Sequence, residues 1–503
     1  MSRRAILILL GSLIAGGARA QVSPSPTPLA EEPVHPLQAP NGTPAEKSKW
    51  LAHEIDLALT DPLLNGAKVG VAVVDVESGK PVYSRNELGL FNPASNVKLF
   101  TTAAALAMLG PEYRWKTVVY AEGGVSGGEL HGKIYLKGHG DPTLVIEDLW
   151  RLVSDLGQTG LKKVSGELVV DDTFFDDVRV GPGFDQKQED LPFRAPNGAL
   201  SLNYNAVGVH VNPGPAEGAP AKVVIDPATP YFTVINEART VAVGRTALTV
   251  ESRDAVDHTE IRVTGRINVR SGGEVQRRRV THPDLYTAWA FKELCKRRGI
   301  NIAGNVARGA VPPGARALAA HYSQPLGVAV RDVNKTSNNF MAEQILKTLG
   351  AETGGRPGTW QKGIDAVAAF LDKLGIPAGA YKMTNGSGLY DSYRFTPVQL
   401  VTLLVRSYKD FRFAADFVGS LGLAGADGTV GHRMGGGLAE RYVRAKTGTL
   451  QGVSCLAGYA GAPGKPPLAF AILMNDLSDA GGNRARRAQD QIAEALVTYL
   501  TAR

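Results

Sequence analysis

The sequence predicts an α+β, multidomain protein in which an antiparallel sheet flanked by helices is interrupted by a large β-rich insertion. Three observations predict it. A chain of 503 residues that is 44% hydrophobic can bury more than one core. Strongly β-prone runs stand near both ends, at 68–76 and within 440–474, so a hairpin and a meander separated by helices can join into one antiparallel sheet. From about Arg114 to Thr281 the pattern changes to short β-prone runs broken by Gly, Pro and Asp, the spacing of a β-rich region.

In chain order, Arg3 and Arg4 precede an apolar run from Ala5 to about Ala15 and then Ala18-Arg19-Ala20. This is the pattern of a signal peptide (1–20) cut after Ala20, and the run is shorter than the roughly 20 residues a membrane span needs. Export is therefore expected, with no stable transmembrane anchor. No Cys follows the run to carry a lipid. Three of the seven net positive charges fall before the cut, and the remaining +4 is too little to imply nucleic acid. Residues 21–47, rich in Pro and poor in large apolar side chains, read as a linker that cannot form a packed core.

Trp50 to Leu59 have helical spacing, Lys68 to Val76 form a strand, and Pro81 to Ser84 return from a turn at 77–80. Phe91-Asn92-Pro93-Ala94 then leads into Ser95 and an Ala- and Leu-rich helix, buried nearly all round and stopped at Gly110-Pro111. The insertion is read as 114–282, with an inner part at about 206–270 nested in it. Leu285, Ala288, Phe291 and Cys295 mark one apolar helix face. Strands follow at Glu440–Lys446, Val453–Tyr459 and Leu468–Met474, and a last helix carries Ile492, Leu496 and Leu500. Residues 48–113 and 283–503 would together form one domain.

The two cysteines, Cys295 and Cys455, allow either a disulfide or two buried thiols. Nine histidines are scattered without a His-x-x-x-His pair, so no catalytic metal is expected.

Three short motifs occur in order: Ser95-Asn96-Val97-Lys98, Ser337-Asn338-Asn339 and Lys446-Thr447-Gly448. Each alone is close to chance. Ser95 and Lys98 lie one turn apart on one helix face, so hydroxyl and amine can meet. A dry cleft and the helix N-terminus both disfavour the lysine's charge, and a neutral Lys98 could take the proton from Ser95. The helix around Lys98 is largely apolar, and a buried lysine needs a reason. Lys446-Thr447-Gly448-Thr449 continues a strand-like segment whose Gly marks close backbone approach. Such an edge, with a cation and a hydroxyl at its tip, suits an extended peptide ending in a carboxylate.

These motifs resemble the serine penicillin-recognising enzymes, and within them the low-molecular-mass class C penicillin-binding proteins, DacB-like D-alanyl-D-alanine carboxypeptidases and endopeptidases. Further runs carry the likeness: Gly140-Asp141-Pro142-Thr143-Leu144, Val170-Asp171-Asp172-Thr173, Ser201-Leu202-Asn203-Tyr204-Asn205 and Asn385-Gly386-Ser387-Gly388-Leu389. The separation of 242 positions between Ser95 and Ser337 matches the extra domains this subfamily carries there. The resemblance implies a β-lactamase/DD-peptidase-like fold with no cofactor. It implies that Ser95 is acylated with Lys98 as base, that Ser337 passes protons, that Asn339 holds the substrate's peptide group, and that Lys446 and Thr447 face its carboxylate. Backbone N–H groups of Ser95 and Thr449, beside Gly448, would form the oxyanion hole.

Peptidoglycan stem peptides and β-lactam antibiotics are the partners so implied, outside the cytoplasm and in a periplasm by family habit. Asp171 or Asp172, with Leu450 and Gln451, match a pocket for the stem peptide's side chain; the aspartate pair reads equally well as a strand-ending turn. Relatives often have an Arg where this chain has Asp391, and Arg394 is the stand-in. Asn385–Gly388 is read as a structural turn, since no Gly stands two places before Ser387. A β-lactamase and a non-catalytic wall sensor are the competing readings.

Overall fold

Side chains along Lys68–Asp75 and Lys465–Asn475 are buried almost continuously instead of alternately, so these strands need cover on both faces. The computed structural model, which describes residues 37–187, 189–391 and 393–502, gives them that cover. The signal segment and most of the 21–47 linker lie outside the described residues.

The two strands pair antiparallel at the centre of a six-stranded sheet. Its order is Gly422–Leu423, Val443–Leu450, Val453–Ala462, Lys465–Asn475, Lys68–Asp75, Pro81–Arg85. On one face lie the terminal helices Pro44–Ala58 and Gly481–Thr501, which bring Leu51, Ile55, Ile492, Leu496 and Leu500 against Val71, Val73 and Phe470. On the other, Ala72, Ala471 and Leu473 meet the helices Val97–Leu109, Leu326–Thr336, Asn339–Gly354 and Pro397–Lys409.

The first helix begins inside the segment assigned to the linker. Thr43 caps it, Pro44 occupies its first turn, and Glu46 completes a capping box, so Pro44–Lys47 are helical.

The inserted region has its own core. Its seven-stranded sheet contains Lys116–Ser126, Glu129–Gly138, Lys163–Val164 and Leu168–Asp171, and it is completed by Asn301–Ile302, Val306–Arg308 and Arg316–Tyr322. Nested within are a three-stranded sheet, Glu274–Arg279, Ala206–Asn212 and Lys222–Asp226, and a four-stranded one drawn from Phe232–Asn268. The boundary expected at 282 therefore moves to about Tyr322. The helix Pro283–Arg297 packs Leu285, Ala288, Phe291 and Cys295 into the insertion's core. An apolar helix face fits either core, and strands of two or three residues are too short to read from pattern. Cys295 and Cys455 are free thiols, buried in separate cores.

Candidate active site

Ser95 sits in a 3₁₀ turn, Ala94–Asn96, that tightens the entrance to the Val97–Leu109 helix. Ala94 holds a positive φ of 48°, strained for a residue with a Cβ. The surroundings over-determine it. Asn92 Oδ1 accepts the Ala94 N–H at 2.9 Å, and Asn475 grips the Asn92 backbone at both N–H (2.7 Å) and C=O (3.0 Å). Two glycines leave the room: a Cβ on Gly388 would lie 2.0 Å from Ala94 O, and one on Gly448 would lie 2.5 Å from Pro93 O. The glycine of the third motif thus marks a close approach, by the Ser95 segment.

The second motif is a helix–helix corner. Ser337 ends the Leu326–Thr336 helix in the left-handed conformation, Asn338 caps the next helix by accepting from Met341 N at 3.0 Å, and Asn339 is its first residue. The corner brings Ser337 to Lys446 and Asn339 to Lys98.

Lys98 is fully buried. Its Nζ lies 3.0 Å from Ser95 Oγ, 2.7 Å from Asn339 Oδ1 and 2.6 Å from Ser387 O. Burial pulls its pKa down to about 7, against a smaller opposing effect of Glu343. Lys446, also fully buried, donates to Ser337 Oγ at 2.8 Å and to Thr447 O at 2.8 Å. Burial, and then the charge of Lys98, hold it well below the usual lysine range. Two serines are thus each paired with a lysine whose charge is disfavoured.

Lys446 lies on Val443–Leu450, which pairs along its length with Val453–Ala462. On its other side, among the described residues, it meets only Gly422–Leu423, opposite Ala445 and Arg444. Among those residues the strand edge from Lys446 to Leu450 has no strand partner there, and Thr449 is exposed on it. Thr447 Oγ1 donates to Thr429 Oγ1 at 2.7 Å.

Of the residues that the motif likeness assigns to a side-chain pocket, the two aspartates are engaged within the insertion. Asp171 is fully buried in the insertion, paired with Lys137 at 2.8 Å and accepting from Thr173 and from Val311 N. Burial alone would raise its pKa; these partners lower it. Asp172 is bound by Arg179 and the Leu200 N–H, and burial lifts its pKa to about 6. Both carboxylates are taken up by partners within the insertion: Lys137 on the neighbouring strand for Asp171, and Arg179 seven residues on for Asp172. Leu450 packs beside Phe184, Leu389 and Tyr390, and Gln451 stands exposed in the following turn. Arg394 is committed to Asp391 at 2.6 Å.

Sequence reasoning missed four contributors. Ser387 O and Phe193 O are backbone carbonyls; Phe193 O, from the insertion, accepts from Asn339 Nδ2 at 3.1 Å. Thr429 lies in an unremarkable turn. Glu343, fully buried, accepts from Gly386 N and Trp360 Nε1 at 2.8 Å each; a carboxylate in an apolar helix was the signal available for it.

The chain is similar to several known proteins. The chain is 35% identical to the D-alanyl-D-alanine carboxypeptidase of Actinomadura sp. (strain R39), over 96% of this chain and 91% of that one. It is 26% identical to the D-alanyl-D-alanine carboxypeptidase DacB of Haemophilus influenzae, over 84% and 88%. The crystal structure of penicillin binding protein 4 (dacB) from Haemophilus influenzae shares the fold, with a TM-score of 0.76 at 24% identity over 88% of this chain and 97% of that one. The family model described as D-Ala-D-Ala carboxypeptidase 3 (S13) matches residues 51–496, and the chain belongs to that family of serine hydrolases.

Proposed function

We propose that the chain carries out the D-Ala-D-Ala carboxypeptidase reaction of its family through an acyl-enzyme on Ser95, with Lys98 as general base. One observation carries this reading: Lys98 Nζ has two carbonyl acceptors, Asn339 Oδ1 and Ser387 O, and one hydroxyl neighbour, Ser95 Oγ. A neutral amine has two N–H donors and one lone pair. The carbonyls take the two donors, and the lone pair is left for the Ser95 proton. A pKa near 7 keeps much of Lys98 in that form at neutral pH.

The substrate's penultimate D-Ala carbonyl is attacked by Ser95 Oγ as the proton moves to Lys98. The oxygen that gains charge is received by the backbone N–H groups of Ser95 and Thr449. The C–N bond then breaks, the leaving D-alanine amine takes its proton by way of Ser337, and water hydrolyses the ester. Ser337 is bonded to Lys446 in the free protein. An arriving terminal carboxylate, opposite charge in a dry site, restores the charge on Lys446 and is gripped by it and Thr447. The open strand edge from Lys446 to Leu450 supports binding of the stem peptide as an added strand. Cutting a cross-link uses the same acylation with a different leaving amine.

We also propose inhibition by β-lactams at Ser95, in line with the penicillin-binding names of the relatives and with the Haemophilus influenzae protein solved with a novel β-lactam. The 1–20 pattern supports export, to a periplasm or, without an outer membrane, to the cell envelope, where peptidoglycan stem peptides lie. The test is fluorescent penicillin and a stem pentapeptide with the wild type and Ser95→Ala. Labelling and D-alanine release are both expected to vanish in Ser95→Ala, and survival of both overturns the mechanism. Rapid penicillin turnover favours a β-lactamase, and labelling without D-alanine release favours a wall sensor.

A further inference from the structure

We propose that Glu343 is a positioning residue that holds the Asn385–Gly388 loop onto Lys98 and, through its own ionisation, sets the pH at which Lys98 becomes a base. The proposal rests on the assignment of Lys98 as the base of Ser95.

Glu343 lies four residues after Asn339 on the Asn339–Gly354 helix, so both point from one helix face toward the cleft floor. The Gly386 backbone is held at both ends: Glu343 Oε2 accepts its N–H at 2.8 Å, and Thr101 Oγ1 donates to its C=O at 2.8 Å. The next carbonyl, Ser387 O, is thereby aimed at Lys98 Nζ, 2.6 Å away. Trp360 Nε1 fixes the same Glu343 oxygen from behind at 2.8 Å. Both carbonyl acceptors of Lys98 therefore stand on elements that Glu343 orders, Asn339 on its own helix and Ser387 on the loop it clamps.

Glu343 and Lys98 are both fully buried, and each feels the charge of the other. An ionised Glu343 favours the charged form of Lys98; a protonated Glu343 lets Lys98 go neutral at lower pH. Burial raises the Glu343 pKa, while Ser387, the Gly386 N–H, Trp360 and the charge of Lys98 lower it. Among the described residues, Lys446, on the strand opposite, has its own charge disfavoured by that of Lys98. Lys347, one turn beyond Glu343, is paired with Asp176 at 2.5 Å, and the Tyr393 hydroxyl feels the Glu343 charge.

The test is the second-order acylation rate with fluorescent penicillin from pH 5 to 9, with a melting curve for each variant. The wild type is expected to lose rate on the acid side. Glu343→Gln keeps an acceptor for Gly386 and Trp360 but removes the charge, and its acid limb is expected to move down by at least about half a pH unit. Trp360→Phe removes one donor from Glu343 and is expected to move the limb the same way by less; it serves also if Glu343→Gln does not fold. Glu343→Asp keeps the charge and shortens the reach, so a several-fold slower acylation with the limb nearly in place is expected. A purely structural role predicts lowered melting temperatures with the limb unmoved in Gln and Phe variants alike, and that result overturns the proposal. A wild-type rate flat across the range overturns the Lys98 assignment beneath it as well.

Discussion

Two stretches of the Asn339–Gly354 helix treat a buried lysine in opposite ways. At its N-terminal end, Asn339 offers Lys98 an amide oxygen, and the other neighbours of Lys98 Nζ are a carbonyl and a hydroxyl. Two turns on, the helix's own Lys347 reaches into the insertion, where Asp176 meets it at 2.5 Å and Val178 O at 2.9 Å, with the Trp360 ring centroid 4.1 Å away. Neither side chain is exposed. Burial alone disfavours charge on both, but Asp176 opposes that effect for Lys347 through a direct hydrogen bond. A direct carboxylate partner makes a structural pin of one lysine; hydrogen-bond acceptors without charge make a base of the other.

The sharpest way to break this contrast is to replace each lysine by an apolar side chain of similar length. Lys98→Met is expected to slow acylation by penicillin about 10²- to 10⁴-fold, the range for removing a general base. The same variant is expected to melt no lower than the wild type near pH 7. The folded pKa of Lys98 is depressed to about 7 from 10.5, so between those values the unfolded chain binds the extra proton. Stability linked to this lysine therefore rises with pH over that window, and Lys98→Met should remove that part of the slope in melting curves taken from pH 7 to 10.

Lys347→Met leaves Asp176 without its cation and is expected to cost roughly 3 kcal/mol of stability, with partial recovery on adding Asp176→Asn. Denaturant unfolding of the single and double variants checks this. An acid limb of acylation that moved with Lys347→Met would dissolve the contrast between pin and base.

Gly448→Ala asks how far the base depends on the seating of its serine. The new Cβ would lie 2.5 Å from Pro93 O, so the Ser95 segment must shift, and a displacement of this kind at a reacting centre costs about 10- to 100-fold in rate. Stopped-flow acylation should register the loss with a smaller change in melting temperature.

Much of the site was legible because each motif residue also has local work. Ser95 and Lys98 announce themselves by a polar pair in an apolar helix, and Ser337-Asn338-Asn339 by its order between the other two motifs. What sequence could not carry were partners supplied by backbone, such as Ser387 O and Phe193 O, since any side chain would place the same carbonyl there. Asp171 and Asp172 were ambiguous for a related reason. Their local pattern admits both a ligand pocket and a turn, and the choice lies with Lys137 and Arg179, whose approach depends on the fold. The insertion's far boundary was hidden because Asn301–Ile302 and Val306–Arg308 are too short to show a period, although they close its sheet.

The two thiols bear on how this molecule has to be made. Cys455 sits under the Ser95 segment, with its sulfur 3.6 Å from Asn92 O, and burial pushes its pKa up to about 12; Cys295 is raised in the same way. Thiolate is the form that oxidants attack, so the finished fold shelters both sulfurs even in an oxidising compartment. An unfinished chain has no such shelter. Folding has to outrun oxidation, and a preparation refolded without a reductant is expected to accumulate mispaired, inactive material that a protein folded before oxidation does not contain.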